Sequence, residues 1–167
     1  MKKIFFSHFA QTIIFGIEDS LVSTVGLLSG IVIGGVDRKT AILTGIVLIF
    51  VEAISMAAGS FLSEASAEEI KNRGEKEGIV SHSLQHGVLM FVSYFAAGFI
   101  PLLPYIIPSV SNPFAVSIIV SLAAMFILGT VAGKTANISA WKIGARMFVV
   151  GGLAIIIGVL AGVIFGK

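Results

Sequence analysis

Five stretches of this 167-residue chain are mostly apolar over twenty or more consecutive positions: about 13–36, 40–63, 85–108, 112–133 and 143–166. Crossing a hydrocarbon core of about 30 Å takes roughly 20 residues of α-helix. In lipid the backbone must satisfy its own polar groups, which restricts spanning segments to helices and closed barrels. The chain is therefore expected to be all-α, a polytopic membrane protein with five transmembrane helices in a single domain over 1–167. Charge agrees: 12% of its residues are charged, against about 25% in a soluble domain. The mean hydropathy is +1.04. A net charge of +2, carried by scattered basic residues, gives no footprint for nucleic acid. Cysteine is absent, which excludes a disulfide framework and a thiolate metal site. The opening MKKIFFSHFA is basic, but no short apolar region ends in a small-residue cleavage site, so it reads as the start of a retained first helix.

Between the second and third spans lies the one long polar stretch, 64–84, expected as a loop. Pro101, Pro104 and Pro108 fall late in the third span and should kink or end it, since proline lacks the backbone donor. Basic residues set the expected orientation. Lys2, Lys3, Lys71, Arg73, Lys76, Lys134, Lys142 and Arg146 lie on one side, against Arg38, Lys39 and Lys167 on the other. By the positive-inside rule the N-terminus and the polar loop face the cytoplasm and the C-terminus lies outside.

Small residues recur at four-residue spacing: Gly26, Gly30 and Gly34 in the first span, Gly129 and Gly133 in the fourth, Gly158, Gly162 and Gly166 in the fifth. Such faces let helix backbones approach closely in lipid. Packing within one chain explains them; a homodimer seam through the first-helix glycine face is the alternative.

Three carboxylates sit inside the spans: Glu18 and Asp19 in the first and Glu52 in the second. A charged side chain near the bilayer centre costs at least about 2.5–3.5 kcal/mol, and no lysine or arginine lies at comparable depth. These groups must be protonated, hydrated or facing a cation, and each option points to a transport pathway. Counting at about 1.5 Å per residue from the span ends puts Asp19 roughly 9 Å inside the membrane, level with Met56, with Glu52 one turn deeper. A carboxylate and a thioether together form a mixed hard and soft ligand set, suited to transition metals over magnesium or calcium. Glu18 either assists, or reaches boundary water or serves as a dimer contact. In the polar stretch Glu64 and Glu68 share a helical face, as do His82 and His86. They make either an ordinary solvated surface or a cation-attracting vestibule.

Several segments resemble the vacuolar iron transporter family. Gly16-Ile-Glu-Asp-Ser-Leu-Val-Ser-Thr-Val-Gly-Leu-Leu-Ser-Gly30 is similar to its first-helix motif, and Ile54-Ser-Met-Ala-Ala-Gly-Ser-Phe-Leu-Ser63 with Ser66 to its second. Phe99–Tyr105 and the tail Lys142–Gly166 resemble its third and last helices. The resemblance implies five helices per subunit, a homodimer, and export of ferrous iron or manganese in exchange for protons. It implies metal ligation by Asp19 and Met56. Ser20 stands where the family has glycine, and Leu48 where some members have a carboxylate, for which Glu52 is the candidate substitute. His8 and Thr12 occupy positions that are carboxylates in some members. The long Glu-rich metal-binding domain between the second and third helices is missing.

The expectation is a secondary transporter rather than an enzyme. Asp19, Met56, Glu52 and Glu18 would hold a transported Fe2+ or Mn2+, Asp19 and Glu52 would carry the proton, and Glu64, Glu68, His82 and His86 would gather metal at the cytoplasmic face. No permanently bound cofactor is expected. The expected setting is a prokaryotic cell membrane, with a vacuolar-type membrane as the alternative. A non-transporting scaffold, a passive cation channel and a membrane metalloenzyme are the rivals.

Overall fold

The computed structural model describes residues 2–71 and 79–166, with side chains over 8–70 and 80–166. The chain forms five helices, α1 (Lys2–Ile33), α2 (Arg38–Lys71), α3 (Ile79–Ile106), α4 (Pro113–Thr135) and α5 (Ala140–Phe165). All five are long and apolar enough to cross a membrane, and no strand occurs among the described residues. Large apolar side chains such as Val51, Ile54, Ile127 and Ile157 are exposed on the outer faces, where lipid solvates them.

The stretch expected as a loop at 64–84 is largely helical. α2 runs on to Lys71 and α3 begins at Ile79, while 72–78, with Arg73, Glu75, Lys76 and Glu77, lie outside the described residues. Polarity marked where the lipid ends, but Glu, Lys and Ala all favour helix, so the helix continues past that boundary. Among the prolines, α3 absorbs Pro101 and Pro104 and stops at Ile106, short of Pro108.

Local chemistry sets the ends. α1 closes in a Schellman turn: Val36 N–H donates to the Ile31 carbonyl (3.0 Å) and Gly35 N–H to that of Val32 (3.1 Å), with Gly35 at φ 90°. Asp37 then caps α2, accepting from Thr40 N–H (3.0 Å) and the Thr40 hydroxyl (2.7 Å). Arg38 crosses to the far end of α3, where its guanidinium donates to the Tyr105 carbonyl (2.7 Å) and the Ile107 carbonyl (2.5 Å). A cation on the last carbonyls complements the negative end of the α3 dipole.

The small-residue faces close inside the chain. A Cβ on Gly30 would meet the Gly158 carbonyl oxygen at 2.7 Å, and one on Gly129 would meet Gly144 Cα at 2.7 Å. α5 thus packs along α1 by its second half and along α4 by its first. The α1 glycines expected as a candidate seam between two copies touch α5 and, together with it, line an open apolar groove. α1 and α3 lie at the centre of the bundle, with α2 on α3 and the α4–α5 pair on the other side. Leu28, Ile49, Leu102 and Tyr105 form one buried cluster of α1, α2 and α3. Leu21, Ala97, Met125 and Met147 form another, joining α1 and α3 to α4 and α5.

Candidate functional site

The site is built where three helices present residues at four-residue intervals, and so along single faces. On α1 these are His8, Thr12, Gly16 and Ser20; on α2, Glu52, Met56, Ser60, Glu64 and Glu68; on α3, His82, His86, Met90 and Tyr94. Contacts fix their register. Between α1 and α3, Thr12 meets His86 (2.8 Å), Gly16 lies against Met90, and the Ser20 hydroxyl donates to the Tyr94 carbonyl (2.6 Å). Between α2 and α3, which run antiparallel, Glu68 meets His82 (2.7 Å), Ala57 lies against Gly87 and Ile49 against Gly98. The three faces therefore stack in levels, from a mouth at Glu64–His86 inward to Tyr94.

The inner level holds Asp19 and Glu52, whose charges act on one another; Tyr94 feels both. All three expected carboxylates are partly buried, and Glu18 feels the charge of Asp19 beside it. Among the described residues none of the three has an ion pair with a basic side chain. Carboxylates at one level of a helix bundle are groups that could hold a cation or a proton. The Tyr94 hydroxyl, fully buried, shares a 2.6 Å hydrogen bond with the Ser23 hydroxyl.

Met56 lies one turn nearer the mouth. With Met90, Ser60, Glu64, His86 and Thr12 it lines a cavity of about 520 Å³, whose wall does not include Asp19 or Glu52. Sequence counting put Met56 level with Asp19 and Glu52 a turn deeper; the contacts put Glu52 level with Asp19. The count started from assumed ends at 13 and 63, and both helices run beyond them. Only interhelical contacts fix a relative register to within a turn.

At the mouth, Glu64, His82 and His86 each bring one ligand atom within 4.8 Å of the other two. His82 Nδ1 lies 2.7 Å from a Glu68 oxygen and 3.5 Å from a Glu64 oxygen. His86 is buried, stacked on Phe9 with ring centroids 4.5 Å apart. The structure thus brings together all four residues expected at the vestibule, and separates them from Asp19 and Glu52 by the cavity that Met56 lines. Met90 and Tyr94 were not singled out in the sequence, and Thr12 was named only as a position that is a carboxylate in some family members. The signal that finds Met90 and Tyr94 is the continuation of the His82–His86 spacing along α3.

A family model described as the VIT family matches residues 10–78 and 71–163. No match is found among curated proteins. The match takes in the inner carboxylates, the cavity and the mouth, and spans nearly the whole bundle. The chain therefore belongs to the VIT family, the vacuolar iron transporter family that its first- and second-helix segments resemble.

Proposed function

We propose that this membrane metal-ion transporter moves ferrous iron, manganese or both out of the cytosol in exchange for protons. The observation that carries this reading is the placement of Asp19 and Glu52 at one level inside the bundle, with no basic partner among the described residues, beneath a cavity lined by two methionines. The ion enters at the Glu64–His86 end, which the distribution of basic residues assigns to the cytoplasm. It passes Met56, whose thioether favours transition metals over magnesium and calcium. It then displaces protons held by Asp19 and Glu52, with Glu18 assisting, and reprotonation from the opposite side resets the pair. The unit working in the membrane is a homodimer, and its seam is the first-helix glycine face, where Gly26, Gly30 and Gly34 line an open apolar groove together with α5.

Coupling is tested in proteoliposomes with a trapped pH dye, the voltage clamped by potassium and valinomycin. Mn2+ uptake that alkalinises the lumen supports exchange. Uptake at constant lumenal pH contradicts it and favours a passive cation channel.

A further inference from the structure

We propose that Glu64, His82 and His86 form a transition-metal binding site at the mouth, distinct from the inner carboxylates, with Thr12 positioning its buried histidine. Its role as a loading site rests on the transport reading; its existence as a metal site does not.

The donor set comes first. One carboxylate and two imidazoles converge to within 4.8 Å, so small side-chain adjustments bring all three onto one ion at the usual ligand distances of about 2.0–2.2 Å. Two nitrogen donors favour Fe2+, Mn2+, Co2+ or Zn2+ over Mg2+ and Ca2+, which take oxygen ligands.

The second observation is independent of the clustering. His86 is 3% exposed, and its Nε2 is buried without a hydrogen-bond partner among the described residues. A polar atom in that position is costly unless something binds it. The other ring nitrogen explains which form it takes. The Thr12 hydroxyl has one proton and gives it to the His8 carbonyl (3.2 Å). His86 Nδ1 lies 2.8 Å from the same hydroxyl. With the Thr12 proton on the His8 carbonyl, Nδ1 donates to the Thr12 oxygen and Nε2 keeps the lone pair, the form in which an imidazole binds metal. Phe9, stacked on the ring, fixes its plane.

The remaining groups fit. Glu68 lies 2.7 Å from His82 Nδ1 and is placed either to orient that ring or to join the ion as a fourth ligand. Glu64 lines the same cavity as His86, Met56 and Met90, so an ion released from the mouth is already in the passage toward Asp19. The site also joins three helices, with ligands from α2 and α3 and the positioning hydroxyl from α1.

The test uses the purified full chain in detergent, titrated with Co2+ alone and followed by visible absorption and calorimetry. One tight site with nitrogen-ligated Co2+ bands is expected. It should be lost in His86→Ala and His86→Gln, both checked for folding by size exclusion and thermal unfolding, and retained in Asp19→Asn. Thr12→Val, which keeps the shape and removes the hydroxyl, should weaken Co2+ binding by about 10–100-fold without removing the bands. Wild-type protein without nitrogen-ligated bands, or folded His86 variants with unchanged affinity and spectrum, would overturn the proposal. Binding that survives in the His86 variants but disappears in Asp19→Asn would overturn it too, while leaving the transport reading intact. A mouth site confirmed in protein that moves no metal would leave the site standing and remove the transport reading.

Discussion

Ser20 donates a 2.6 Å hydrogen bond to the backbone carbonyl of Tyr94, and this bond joins the two central helices beside the inner carboxylates. Ser20 is fully buried, and its neighbour Asp19 is held where its charge meets that of Glu52 from α2. The serine that departs from the family's usual glycine thus has a structural task here. Its hydroxyl gives the Tyr94 carbonyl a donor from α1 and so ties the two central helices together at that level.

The charges of both carboxylates of that pair reach Tyr94. Tyr94→Phe removes the bond to Ser23 and a hydroxyl that feels both carboxylates. Stability should fall by about 0.5–1.5 kcal/mol, the net value of one hydrogen bond. Metal uptake per folded molecule should fall further than in Ser23→Ala, which breaks the same bond but keeps the Tyr94 hydroxyl. Equal uptake by the two variants and wild type would reduce Tyr94 to a packing role.

Arg38 tests how α3 ends. Its guanidinium bonds the Tyr105 and Ile107 carbonyls, so Arg38→Ala should cost about 1.5–3 kcal/mol, the range for a charged hydrogen bond. Arg38→Lys should recover only part of the loss, because a single ammonium cannot reproduce the planar fork. Thermal unfolding in detergent measures both.

Gly30 and Gly152 form a matched pair. A Cβ on Gly30 would lie 2.7 Å from the Gly158 carbonyl oxygen, whereas one on Gly152 meets nothing within 4 Å. Gly30→Val should destabilise by about 1–3 kcal/mol by forcing α1 from α5. Gly152→Ala should be neutral or stabilise by up to about 1 kcal/mol, as alanine does in a helix interior. A neutral Gly30→Val would mean that α1 and α5 do not pack as described.

The cap on α2 predicts a pH dependence. Two hydrogen bonds from Thr40 hold the Asp37 carboxyl below its usual range. A depressed folded-state pKa contributes stability above the unfolded value of about 3.9, and that stability is lost as pH falls through the folded value. The difference in Tm between wild type and Asp37→Ala should therefore be constant from neutral pH to about 5 and shrink below about 4. A difference that instead shrinks on going from acid to neutral pH would contradict the cap.

The helices were legible in the sequence because lipid leaves few alternatives: an apolar run of the right length has one stable form. Asp19 and Glu52 were legible for a related reason, since a carboxylate in a span needs a purpose. Their pairing was not, because relative depth was counted from ends that α1 and α2 overrun. Met90 and Tyr94 stayed hidden because a methionine and a tyrosine in apolar helices are ordinary residues, and Thr12 stood out only as a departure from the family pattern, with no role attached. They acquire meaning only when His86, Gly16 and Ser20 are found against them. The α1 glycines show the reverse: their spacing announced a close helix contact, but not whether the partner was α5 or a second copy.

The central claim is that Asp19 with Glu52 forms the metal and proton site of a transporter, and proteoliposome uptake tests it most directly. Fe2+ and Mn2+ uptake would be followed with and without an imposed pH gradient, for wild type and for Asp19→Ala confirmed as folded. Gradient-dependent uptake by the wild type, falling to the protein-free background in Asp19→Ala, is the expected result. Uptake by folded Asp19→Ala at the wild-type rate would contradict the claim.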